Sequence, residues 1–134
     1  MKRVVFLISI LILSLQANSQ GRLGYSASQI LDEFSQPDYN LENGYDNDGD
    51  YFIKVKYERA DVFYYFKTSD SCYLTLVAPE SDGSLNSYVE AFNNRYVIIS
   101  SVNWKSYSAQ GISDIKLYFP QSGRPYFLWS IPKK

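Results

Sequence analysis

The chain has 134 residues, with 13 basic side chains against 14 acidic ones, no histidine and a single cysteine. Without histidine there is no imidazole for a catalytic triad, for acid–base work near neutrality or for a metal site that needs one. The lone Cys72 excludes an internal disulfide, thiolate zinc sites and iron–sulfur ligation, and the balanced charge supplies no basic field for nucleic acid.

Residues 1–19 read as a secretory signal peptide. Lys2-Arg3 is a cationic start, and Val4 to Leu15 is an apolar run too short to span a bilayer, which takes about 20 residues. Ala17-Asn18-Ser19 then offers the small residues that signal peptidase needs before Gln20. No cysteine follows the run, so no lipid anchor is expected after cleavage. The expected location is outside the cytoplasm, periplasmic or extracellular. Residues 20–134 are expected to form one α+β domain with eleven basic and fourteen acidic side chains.

Ser26-Ala27-Ser28-Gln29 has the form of a capping box. Ala27, Ile30, Leu31 and Phe34 share one face of the helix that follows, and Pro37 stops it. The polar stretch Asp38 to Asp50 carries the turn signals Asn43-Gly44 and Asp48-Gly49. In Tyr51–Glu58, Ile53, Val55 and Tyr57 alternate with Lys54, Lys56 and Glu58, the period of a half-buried strand. Val62–Lys67 and Cys72–Val77 read as two further strands, joined by short links that imply antiparallel neighbours. A second helix starts near Asp82 or Ser84, carries the stripe Leu85, Tyr88, Val89 and Phe92, and ends at Asn93-Asn94. Strands Tyr96–Val102, Ile112–Phe119 and Tyr126–Ile131 complete the chain, with a loop around Trp104 to Gly111.

The expected fold is therefore an antiparallel sheet of about six strands with two helices on one face, in the order helix, three strands, helix, three strands. Ile30–Phe34 lines up with Tyr88–Phe92, each before three strands. A duplicated α-β-β-β unit and a chance likeness of two amphipathic helices both account for this.

Gly24, Ser26, Ile30 and Pro37 give the helix start a pattern that resembles a group of small exported bacterial domains. These are the outer-membrane assembly lipoproteins of the SmpA/OmlA type and the β-lactamase inhibitor proteins. Ser35 stands where that pattern usually has glycine, and the lipid-bearing cysteine is missing. The resemblance covers Gly24 to Pro37 and the order of elements. It implies an antiparallel sheet with helices on one face and an open second face that binds protein, and it carries over no site residues.

Asp46-Asn47-Asp48-Gly49-Asp50 has the look of a calcium loop. A hand-type loop needs glycine at its sixth position and glutamate at its twelfth, and counted from Asp46 these are Tyr51 and Tyr57. A solvated turn is expected, with no metal and no cofactor. Cys72 alternates with Leu74 and Leu76, which places all three on the buried face of a strand. Asp32 and Glu33 point about 100° apart on a helix. Glu58, Asp61, Glu80, Asp82, Glu90 and Asp114 fall at turns, strand ends or helix surfaces, and no spacing among them requires the facing pair of a glycosidase. No phosphate loop and no nucleophile motif occurs, so no catalytic residues are assigned.

Twenty-three aromatic residues, thirteen of them tyrosine, are more than one small core can hold with every hydroxyl paired. Strand alternation sends Ile53/Val55/Tyr57, Val62/Tyr64/Phe66, Cys72/Leu74/Leu76, Ile115/Leu117/Phe119 and Phe127/Trp129/Ile131 toward the helices. It sends Lys54, Lys56, Phe63, Tyr65, Tyr73, Tyr118 and Tyr126 to the opposite face. That set is the expected binding surface. The expected function is an exported, non-catalytic binding module for a protein or envelope component. The alternative is a small extracytoplasmic carboxylate-dependent hydrolase acting on polysaccharide or peptide.

Overall fold

The computed structural model describes residues 21–67, 70–109 and 111–133; the expected leader and its cleavage point lie outside them. The chain enters through a short strap, Gly21–Tyr25, that is hydrogen-bonded to the start of a strand: Gly24 N–H donates to Cys72 O and Cys72 N–H to Tyr25 O, both at 2.8 Å. Helix α1 (Ala27–Glu33) follows, with the expected capping box in place. Ser26 Oγ accepts from the Gln29 N–H and Gln29 Oε1 from the Ser26 N–H, so two donors at the helix start are satisfied reciprocally. A 3-10 turn at Pro37–Tyr39 then leads into the sheet.

The strands are β1 (Glu42–Tyr45), β2 (Tyr51–Tyr57), β3 (Ala60–Phe66), β4 (Cys72–Pro79), β5 (Val97–Ser100), β6 (Asn103–Ser108), β7 (Gly111–Tyr118) and β8 (Tyr126–Ser130), with helix α2 (Asp82–Arg95) between β4 and β5. They form one sheet in the order β1-β2-β3-β4-β8-β7-β6-β5, every neighbouring pair antiparallel. The chain meanders from one edge to the middle. Helix α2 carries it to the far edge, and a second meander brings β8 back beside β4. Each half is a helix followed by four strands.

This corrects the expected six strands and the order helix, three strands, helix, three strands. The two strands that sequence reading leaves out are β1 and β6. In β1 the residues are polar and include Asn43-Gly44, which reads as a turn; here Gly44 faces Phe52, whose ring lies 3.5 Å from where a glycine Cβ would stand. In β6 the inward positions are Trp104 and Ser106, both buried, and a serine at an inward position erases the apolar alternation on which a strand is recognised.

Both helices pack on one face of the sheet. Along that inner face a single row runs Ile53, Tyr64, Thr75, Trp129, Ile115, Trp104, every member buried. Helix α1 lays Phe34 against Tyr57 and Tyr64. Helix α2 lays Phe92 against Phe127, Trp104 and Trp129 at ring separations of 4.8, 5.7 and 5.8 Å. It begins at Asp82, one of the two expected starts, with Ser81 as N-cap, and it turns Ser84, Tyr88 and Phe92 fully inward while Leu85 and Val89 stay half-buried.

Two assignments of faces change. Tyr65 pairs with Leu74 but Phe66 pairs with Cys72, so Tyr73 is the extra residue of a β-bulge. Because side chains alternate with period two, one inserted residue reverses the phase. Cys72 is buried as expected, but Leu74 and Leu76 move to the outer face and Thr75 and Val77 fill the inner one. Phe119 and Ile131 lie just past the ends of β7 and β8 and are exposed. Among the described residues no helix is long and apolar enough to cross a membrane.

Candidate functional site

The outer face is read from two rows that cross the whole sheet. One runs Glu42, Lys54, Phe63, Leu76, Leu128, Lys116, Asn103, Ser100. The next runs Gly44, Phe52, Tyr65, Leu74, Ser130, Asp114, Lys105, Val97. The apolar stretch is Phe63–Leu76–Leu128 in the first row and Phe52–Tyr65–Leu74 in the second, with charged or small polar residues beyond it on β7 and β6. Phe52, Phe63 and Tyr65 cluster with ring centroids 6.1–6.3 Å apart. Tyr118 and Tyr126 stack at 5.4 Å on β7 and β8. Between the two groups lie Leu74, Leu76 and Leu128, all half-buried.

Six of the seven expected site residues hold outward strand positions, and Tyr73 is the unpaired residue of the bulge. Lys54 sits over the Phe63 ring at 5.7 Å and reaches Glu42 at 3.8 Å. Lys56 is held by Glu80 at 2.9 Å. That hydrogen bond lowers the Glu80 carboxyl below its ordinary range and raises the Lys56 ammonium above its own. Burial, and then the nearby Asp46 carboxylate, push the Tyr65 phenol up. Tyr73, at the bulge, is tied instead to the turn before β2: its hydroxyl donates to Asp50 Oδ2 at 2.7 Å, with Lys67 5.1 Å from its ring centre. Burial followed by that bond raises its phenol strongly. So Phe63, Tyr65 and Lys54 are brought together, Tyr118 and Tyr126 are brought together, and Tyr73 and Lys56 are engaged locally.

Sequence reading missed Phe52, Leu74, Leu76 and Leu128 as members of this surface. Phe52 and Leu128 were within reach, being in phase with Lys54 and with Tyr126. The two leucines were not, because nothing in the letters announces a bulge at Tyr73.

Three of the acidic side chains considered for catalysis are held in ion pairs. Glu80 meets Lys56 and Arg59, Asp82 meets Arg124, and Asp114 meets Lys105. Asp46 Oδ1 accepts from the Asp48 and Asp50 N–H groups at 2.9 Å, the bonding of an Asx turn, with Gly49 in the left-handed region. Among the described residues no group of three or more acidic or thiol side chains is placed to hold a metal ion.

The inner face holds a cluster that sequence reading passed over as a polar approach. Arg22 is buried, its guanidinium 4.5 Å from the Phe34 ring centre. It donates to both carboxylate oxygens of Glu33 and, through Nη1, to Tyr64 Oη at 2.7 Å. Burial opposes its charge, but the Glu33 hydrogen bond and the attraction of Tyr64 and Glu33 leave it more firmly protonated than a free arginine. Cys72 lies nearby, and burial raises its thiol, the opposite of what a nucleophilic cysteine needs. Comparison with protein-family models, with curated proteins and with solved structures finds no match to this chain.

Proposed function

We propose that the chain is an exported, non-catalytic binding module that captures a protein or envelope component on the outer face of its sheet. The observation that carries this reading is the continuous apolar band Phe52–Phe63–Tyr65–Leu74–Leu76–Leu128, extended by Tyr126 and Tyr118, on the face opposite both helices. Rings and leucines bordered by Lys54, Lys105 and Lys116 have the composition of an interface: an apolar centre inside a charged rim. The resemblance of the Gly24–Pro37 segment to the exported domains named above implies the same use of an open sheet face.

The test is capture from the native cell envelope by the immobilised chain. Replacing Phe63, Tyr65 and Tyr118 together by serine is expected to abolish capture while cooperative melting persists, and Tyr73→Phe is expected to bind as the parent does. Undiminished capture by a folded triple variant would place the site elsewhere. Should the triple variant not fold, Lys54→Glu tests the rim of the same surface and should weaken capture at low salt.

A further inference from the structure

Two serines stand opposite each other on the inner face. Ser106 on β6 pairs with Ser113 on β7, on the side of the sheet that carries Trp104 and Ile115. Ser106 is only 8% exposed, and neither hydroxyl has a hydrogen-bonding partner among the described residues. The Ser106 hydroxyl is not sealed, because the one side-chain nitrogen or oxygen among the described residues that is both sealed and unpartnered belongs to Trp129. It opens into a half-enclosed cavity of about 250 Å³ that both serines line. Tyr25, Tyr96 and Trp129 are the aromatic walls, with Tyr96 meeting Trp129 edge to face at 89°. These walls are set by the fold itself. The strap is hydrogen-bonded to Cys72 through Gly24 and Tyr25, and Gly21 O accepts from the buried Thr75 hydroxyl at 2.6 Å. A Cβ on Gly21 would come within 2.8 Å of the Trp129 ring, so strap and ring are in close contact.

We propose that this cavity binds one neutral hexose unit of a glycan, its hydroxyls on Ser106 and Ser113 and its C–H face against the aromatic walls. Each serine hydroxyl both donates and accepts, and directly opposed residues of an antiparallel pair hold their Cβ atoms about 4.5–5.5 Å apart. Two neighbouring sugar hydroxyls, which also donate and accept, match such a pair, whereas a hydrocarbon leaves both serines unpaired. The ligand is uncharged because the lining holds no carboxylate for a cation, and its one charged side chain, Arg22, already spends its guanidinium on Glu33 and Tyr64. It is a single ring because pockets for drug-sized molecules run from about 300 Å³ upward. The open side leaves room for the rest of a glycan to continue into solvent.

The probes are the methyl glycosides of glucose, galactose, mannose and N-acetylglucosamine, with tetrahydropyran as a ring of similar shape that has no hydroxyl. In ¹⁵N-labelled protein at least one glycoside is expected to move the backbone amide signals of Ser106, Ser113 and Tyr25 saturably, with tetrahydropyran at least tenfold weaker, about the worth of one hydrogen bond. Ser106→Ala with Ser113→Ala removes two hydroxyls that no described protein group uses, so Tm is expected to hold or rise while the response to the glycoside is lost. Should the double variant not fold, Ser113→Ala, at the half-buried position, carries the same test alone and is expected to weaken the response about tenfold. The proposal is overturned if no glycoside moves these signals, if tetrahydropyran moves them at equal concentration, or if the alanine variants respond as the parent does. Loss of envelope capture by the sheet-face variants does not bear on this outcome, since those residues lie on the other side of the sheet.

Discussion

Arg22 shows how one side chain can organise a small core. Its guanidinium lies over the Phe34 ring while its donors reach a carboxylate and a phenol, so the charge sits inside with an acceptor for each of its three nitrogens. Glu33 is about two-fifths exposed and can rehydrate when its partner is removed, which keeps the cost below that of a fully buried pair. Arg22→Met keeps the stem and deletes the head. It is expected to lower stability by about 1–3 kcal/mol, read as a shift in urea midpoint. An unchanged midpoint would mean the pair contributes no net stability. The hairpin between β2 and β3 is held in a similar way. Glu58 and Arg59 both adopt left-handed backbone at φ 49° and 63°, a conformation that favours glycine or asparagine. Tyr88 supports them by donating to the carbonyls of Tyr57 and Glu58.

At the scale of elements, the sheet protects its edges unequally. Both edge strands are four residues long, which is one way to limit pairing with other chains. Strand β1 is polar and turns Glu42 toward Lys54. Strand β5 is Val97-Ile98-Ile99-Ser100, with both isoleucines 55% exposed. An apolar edge of this kind is where uncontrolled association begins. Ile99→Lys is expected to raise the concentration at which light scattering appears during refolding, with Tm unchanged because an exposed side chain contributes little to the fold. A clear fall in Tm would show that Ile99 carries packing that its exposure conceals. The bulge at Tyr73 belongs to this scale too. It turns Leu74 and Leu76 outward, and without them the rings on β3 and β8 would not join into one apolar band.

For the whole molecule, stability should fall as pH rises from neutrality into the alkaline range. With no histidine in the chain, few groups titrate between about pH 6 and 8, and stability there should be nearly flat. Burial raises the thiol of Cys72 and the phenols of Tyr64, Tyr65, Tyr73 and Tyr96. Groups whose folded pKa is raised hold their protons longer in the native state. Their stabilising contribution is complete below the unfolded values, about 8.5 for cysteine and about 10 for tyrosine, and is lost as pH rises above them. Urea midpoints are expected to agree at pH 6.5 and 8 and to fall progressively at 9.5 and 10.5. A midpoint that rises with alkali would contradict the burial of these groups.

The sequence by itself determined the local features. The capping box at Ser26, the Asp46–Asp50 turn, strands β2, β3, β7 and β8, and the inward ring of Phe92 all follow from short-range patterns, because capping, turn chemistry and period-two alternation are written in neighbouring residues. Tertiary structure decided the rest. Ser106 occupies a core-facing position because β6 lies between β5 and β7, and Thr75 is buried because the strap supplies it an acceptor at Gly21. Arg22 is buried because Glu33 and Tyr64 converge on it from a helix and a strand. Thr75 and Arg22 thus sit in the core through partners that come together only once the chain has folded. For the same reason, the membership of the outer face depended on a bulge that only the pairing of β3 with β4 reveals.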